Sequence, residues 1–195
     1  MKNIALVGPM KCGKDTIASF FIQNLGYKRI AFADAMKKEV CEILNNYPTS
    51  PNTKPWTPES IDKHKDFFRP LLQWWGQYRR SEDPDYWVRI VSNQLNIADK
   101  HVVTDPRYIN ELEFLQKNNF FIVRIKPKKE LQVSENELNH ISEQQWKEFT
   151  PDLTKVNGYG LLPNLVKDLA IRSGIKMSVK RKANLFYKDY NKSSS

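Results

Sequence analysis

Two cysteines in 195 residues, Cys12 and Cys41, leave no disulfide framework, so a reducing cytosol is the expected compartment. No apolar run approaches the ~18–20 residues that a membrane span requires, so no membrane partner is expected. The opening run "NIALVG" is too short for the apolar core of a secretory leader. It also lacks a small-residue cleavage site, so no leader is expected. No internal repeat is present, which sets aside solenoid and propeller architectures.

What is there suits a soluble globular chain: 40% apolar and 27% charged residues. The length allows one α/β domain with a substantial core. The net charge of +9 is unevenly spread. Residues 175–195 hold six Lys or Arg against Asp189 alone, more than half of the excess. The rest is basic enough for an enzyme acting on phosphorylated small molecules as well as for a DNA binder, and charge alone does not separate them.

"NIALV" (3–7) reads as a buried strand and "KDTIASFFIQNLG" as a helix closed by Gly26. "YKRIAF" (27–32) is a second strand, followed by a helix over "DAMKKEVCEILNN" that Asp34 is placed to cap. Residues 47–58 hold four prolines and read as a loop. A mostly helical stretch covers 59–98, broken at "SEDPD". "HVVTD" (101–105) and "FFIVRIK" (120–126) are strands around the helix "YINELEFLQKN". Residues 128–150 are polar with little periodicity and are the candidate lid. A weak strand "LTKVN" and a helix over about 161–173 complete the domain; the last 20 or so residues read as partly ordered. This alternation predicts a parallel sheet covered by helices on both faces.

The chemistry begins at "GPMKCGKDT" (8–16), which follows a strand, opens a helix and has the outline G-x-x-x-x-G-K. Such a loop offers backbone N–H groups and a helix dipole to phosphate, and its lysine adds a mobile charge. Gly8, Lys11, Gly13, Lys14, Asp15 and Thr16 are the candidates for ATP, with Cys12 a small tolerated side chain. The hydroxyl comes one residue late: Asp15 follows the lysine, and Thr16 follows Asp15. A carboxylate beside triphosphate needs Mg²⁺ or a basic neighbour, for which Lys11 is placed.

"HVVTDPR" carries Asp105 to the carboxyl end of a strand, where ligands bind in parallel sheets. Asp105 is a candidate to orient Mg²⁺ through water together with Thr16; the other reading makes it a helix cap. Arg107 is placed to grip an acceptor phosphate. "FFRPLLQWWGQYRR" adds Arg69, Arg79 and Arg80 with Gln73, Trp74, Trp75 and Tyr78 between them. Guanidinium forks suit phosphate and aromatic rings suit bases. Leu71, Leu72, Trp75 and Tyr78 equally suit a core, and one of Arg79 and Arg80 must face away as a solvated charge. Asp34 points to the same pocket or caps its helix.

Taken in order, "GKDT", "FADAMK", "RPLLQWWGQYRR" with "DPDYW", "TDPRYINE", "HISE" and "NGYGLLPNLV" resemble the phage-type deoxynucleoside monophosphate kinases over residues 3 to about 170. The resemblance implies a P-loop NTPase fold: a three-layer α/β/α domain (1–174) with a parallel core sheet. It also implies a helical acceptor-binding insert (about 34–98), a lid (about 127–150) and a basic tail (175–195). The implied reaction is ATP + dNMP → ADP + dNDP with Mg²⁺, in the supply of dNTP precursors in a host cytoplasm. By position, Asp34, Lys37, Arg69, Gln73, Trp74, Arg80, Trp87 and Arg107 would hold the dNMP. Asn157 and Gly158 would lie near the donor adenine. The family's arginine before proline is Lys126 here, with Arg124 two residues earlier as a lid cation. Tyr159 stands where the family often has a second polar residue.

The catalytic set is then Lys14, Arg69, Asp105, Arg107 and Arg124. The family includes oligomers, so a homodimer is an expectation; nucleic acid is not an expected partner. The rival readings are a kinase of another small phosphate (phosphomevalonate-like), a nucleic-acid-associated ATPase, and a nucleotide binder without turnover.

Overall fold

The structure is a computed structural model that describes residues 2–47, 54–96, 98–127, 144–157 and 162–172. Most of the candidate lid, Gly158, Tyr159, "HISE" and the basic tail therefore lie outside the described residues. The chain divides into two units, Met1–Ile30 with Asn96–Ser195, and Ala31–Leu95.

Among the described residues the first unit is built on five strands: β1 (Asn3–Val7), β2 (Lys28–Ile30), β3 (His101–Val103), β4 (Phe120–Pro127) and β5 (Leu153–Asn157). They pair in the order β2-β3-β1-β4-β5, and every pairing is parallel. The helices of this unit are α1 (Lys14–Leu25), α6 (Ile109–Lys117), α7 (Gln145–Glu148) and α8 (Leu162–Arg172). Because side chains alternate along a strand, β4 serves two cores. Phe121, Val123 and Ile125 pack with Ile17, Phe20 and Phe21 of α1 and with Leu165, Val166 and Leu169 of α8. Phe120, Ile122 and Arg124 point to the other face, where Arg124 meets α7. The result is the expected α/β architecture, a parallel sheet flanked by helices.

Strand order places the site. β1 lies between β3 and β4, so the crossovers from β1 and from β3 leave in opposite directions. Loops at the carboxyl ends of such strands part and leave a crevice. The chain continues from Val7 into the glycine loop at that edge, with Ala5 level with Val103 and Val7 level with Arg124.

The second unit is helical: α2 (Phe32–Asn46), α3 (Pro58–Lys63), α4 (Lys65–Glu82) and α5 (Tyr86–Ser92). Val40, Cys41, Ile61 and Phe68 form its core, with Leu44, Trp56, Leu71, Leu72 and Trp75 packed against them. Pro58 occupies the first turn of α3, where a missing N–H costs nothing. Thr57 and Ser60 cap that helix reciprocally, at 3.2 and 2.8 Å.

Several boundaries differ from the sequence expectation, among them β3, which ends at Val103 rather than Asp105. β2 ends at Ile30, and α2 begins at Phe32, whose ring is buried. Asp34 consequently sits inside the first turn rather than at the cap, which is Ala31. Asp105 does not cap α6 either, because that helix starts at Ile109 after Tyr108.

His101 opens β3 buried, and its Nδ1 has no hydrogen-bond partner among the described residues. Desolvation pushes its pKa below the ordinary imidazole value; nearby Asp99 opposes this and Lys28 adds to it. The folded state thus binds the proton less readily than the unfolded chain. Stability is whole above the unfolded pKa of about 6.5 and is lost as pH falls below it towards the folded value. Urea titrations from pH 7.5 down to 5 should show this loss, and His101→Phe should flatten that limb. An unchanged acid limb would assign it to other groups.

Candidate active site

The glycine loop is held in a shape that only glycine permits at two points. Gly8 has φ +149°, and a Cβ there would lie 2.2 Å from the Ile125 carbonyl oxygen. Gly13 has φ +93° and forms the N-cap of α1, where a Cβ would lie 2.3 Å from Asn157 Nδ2. Lys11, exposed between them, also adopts a left-handed φ of 61°. Among the described residues no side chain caps α1, so its N-terminal dipole faces the loop, with exposed Asp15 the acidic residue of its first turn.

Lys14 is buried, and its Nζ donates to the carbonyl oxygens of Gly8 and Pro9, each at 2.8 Å. Cys12 Sγ lies 3.7 Å from the same ammonium. A buried ammonium must be hydrogen-bonded, and here the loop's own backbone supplies the acceptors. Exchange of these neutral acceptors for anionic phosphate oxygens would add the attraction of opposite charges to bonds whose donor is already ionised. Burial raises the Cys12 thiol pKa, with the positive fields of Lys14 first and Arg107 after it working against that rise. The thiol stays protonated at neutral pH and serves as packing.

Arg107 and the neighbouring backbone are fixed by a residue that sequence reasoning passed over. Glu111 is buried, and its Oε2 accepts from the N–H groups of Arg107 (2.8 Å) and Tyr108 (3.2 Å). The signal was the i+3 spacing from Tyr108 at the start of α6, half of a capping box. Asp105 and Thr16 are both partly buried, Thr16 in the first turn of α1 and Asp105 just beyond β3. Among the described residues no cluster of three His, Cys, Asp or Glu forms a metal cage. That donor set fits Mg²⁺ carried by phosphates and water, with one or two protein oxygens.

Asn157 ends β5 and donates from Nδ2 to the Cys12 carbonyl at 3.0 Å. Arg124 has a different occupation from the one expected of a lid cation. Its Nη2 donates to the carbonyls of Trp146 and Lys147, both at 3.1 Å, and to that of Phe149. Its guanidinium also lies 5.7 Å from the Trp146 ring centre. It therefore ties α7 to β4, and the orphaned C-terminal carbonyls of a one-turn helix explain why a cation is wanted there.

No family model matches the chain, and no curated protein does. Among solved structures, the dephospho-CoA kinase from Campylobacter jejuni is similar over 96% of each chain, at 13% identity and a TM-score of 0.38. A likeness that slight carries no inference about activity.

The helical unit holds the other expected residues. Lys37 is buried and paired with Asp62 (2.8 Å) and Asp34 (3.5 Å). Arg69 is three-quarters buried and bridges to exposed Asp66 at 3.2 Å. Gln73 is partly buried on the same helix. Trp74 is 60% exposed and stacks on Tyr78 with rings 5.6 Å apart and 11° from parallel. Arg80 donates to the Gly76 carbonyl at 3.1 Å. Trp87 is 1% exposed, and its indole N–H goes to the same carbonyl, so it is core rather than ligand surface.

Arg79 is not a solvated charge. It is sandwiched between Trp75 and Tyr86, 4.7 Å from each ring centre, and donates to Glu39 at 3.1 Å. Glu39 also accepts from Trp75 Nε1 (2.9 Å) and the Tyr86 hydroxyl. Nothing local announces this hub, because its donors lie 36 to 47 residues away.

The loop's shape yields a test. Gly8→Ala should cost about 1–3 kcal/mol in urea unfolding, since its methyl would strike backbone, and should abolish ATP binding. Gly26→Ala meets open space and should cost about 1–2 kcal/mol for its left-handed backbone alone, with ATP binding kept. Equal binding by both variants would detach the loop geometry from nucleotide.

Proposed function

We propose that this chain is an ATP-dependent phosphotransferase whose acceptor is a small phosphorylated molecule, and that the acceptor is a deoxynucleoside monophosphate. The observation that carries the reading is Lys14, buried on the carbonyls of a glycine loop between β1 and α1. A buried ammonium at a helix N-terminus, on the carboxyl edge of a parallel sheet, is a site for polyphosphate.

In this reading Gly8, Gly13, Lys14 and Thr16 hold the donor phosphates. Thr16, and Asp105 through water, would hold Mg²⁺, which would supply charge neutralisation for the phosphates. An oxygen of the acceptor phosphate attacks the γ-phosphorus, and the bond to the β–γ bridging oxygen breaks, giving ADP and dNDP. The acceptor phosphate is already anionic, so no strong base is required. Rate comes from alignment and from the charges of Lys14, Arg107 and Arg69. Arg124 is left out of this set because its guanidinium is engaged by backbone carbonyls.

The exposed Trp74–Tyr78 stack, with Gln73 beside it in sequence, supports a flat base as the acceptor's recognition element. The preference for deoxyribose rests on the family resemblance alone.

A coupled ADP-release assay tests the reading with ATP and Mg²⁺ against the four common dNMPs, the matching ribonucleotides and phosphomevalonate. Turnover is expected on at least one dNMP, and Lys14→Ala should lower it by at least 10³-fold, the scale of losing a preorganised charge, without unfolding the chain. Turnover on phosphomevalonate alone, or a near-wild-type Lys14→Ala enzyme, would overturn it.

A further inference from the structure

We infer that Asn157 is a positioning residue for the phosphate loop: it fixes the Cys12–Gly13 peptide so that the Gly13 N–H is presented to phosphate. The inference rests on the reading of the loop as a polyphosphate site and gives Asn157 a role other than a contact to the donor adenine.

Three observations carry it. Asn157 Nδ2 donates to the Cys12 carbonyl at 3.0 Å across 145 residues of sequence. The acceptor is a carbonyl, so the amide must turn its NH₂ group towards it, and the orientation of the side chain is chemically forced. The same Nδ2 lies 2.3 Å from the place a Cβ on Gly13 would occupy, so the amide packs directly against the Gly13 backbone.

The consequence follows from the planar trans peptide. C=O and N–H of one peptide unit point to opposite sides. Holding the Cys12 oxygen towards Asn157 therefore holds the Gly13 N–H away from it. Gly13 is the N-cap of α1, and among the described residues no side chain caps that helix. Its amide is thus aimed without the enzyme having to reorganise when an anion arrives. Asn157 is itself anchored by the sheet, since it is the last residue of β5 and pairs with Pro127 of β4. Glycine at 13 then has two reasons, its left-handed φ and the space taken by the amide.

The test uses the full chain and inorganic tripolyphosphate as probe, followed by titration calorimetry, with the coupled assay alongside. Asn157→Asp is isosteric but has no donor when ionised, and Asn157→Ala removes the group. Both should weaken tripolyphosphate binding at least tenfold. Both should also raise the KM for ATP far more than they lower kcat at saturation, a split that general destabilisation would not give. Wild-type binding with both variants within twofold of it would overturn the inference and leave the phosphate reading standing. A wild-type chain that binds neither tripolyphosphate nor ATP would overturn both.

A double-mutant cycle gives an independent readout should Asn157→Asp fail to fold. Gly13→Ala should lower Tm by several degrees more in the wild-type background than in the Asn157→Ala background, because the left-handed strain is common to both and only the clash differs. Equal losses in the two backgrounds would contradict the contact.

Discussion

An ammonium taken out of water must find acceptors, and Lys14 finds them in the backbone of its own loop. Much of the first unit serves that one requirement. Gly8 lets the loop leave β1 beside the Ile125 carbonyl, and Gly13 lets α1 begin against the Asn157 amide. β3 and β4 flank β1, so the residues after β3 and at the end of β4 reach the same edge. Glu111 then fixes the backbone from which Arg107 springs. The Lys14 charge is arranged by hydrogen bonds to loop carbonyls, so its place in the site is organised by the protein itself.

The parts of this arrangement legible in sequence are those with local causes. A strand–glycine loop–helix pattern is a matter of period and of residues that permit unusual φ, and it was readable from "NIALVGPMKCGKDT". The parallel sheet followed from strands alternating with helices. What escaped was set by long-range pairing. Arg124 looked like a free cation near a lid because nothing in "FFIVRIK" reveals the carbonyls of Trp146, Lys147 and Phe149 that occupy it. Sequence left open which of Arg79 and Arg80 is solvated for the same reason: the Glu39 that engages Arg79 lies 40 residues earlier. Asp34 and Asp105 were read as possible caps on residue type, whereas tertiary packing starts α2 at Phe32 and the Glu111 carboxylate organises the start of α6.

The helical unit shows a different balance. Some of its charged residues are paired with one another, with Lys37 between Asp34 and Asp62 and Arg79 on Glu39. Its exposed aromatic surface is concentrated on α4, where Phe67, Trp74 and Tyr78 face solvent. These exposed rings are why a base is the acceptor feature proposed.

The central claim is that the backbone from Gly8 to Thr16 binds polyphosphate. Its most direct measurement is an amide ¹H–¹⁵N titration of the full chain with ATP and Mg²⁺. The account predicts that the largest shifts fall on Gly8, Gly13, Lys14, Asp15 and Thr16, and that Lys14→Ala removes them. Shifts spread over the basic residues of 175–195, with the loop amides unmoved, would contradict it.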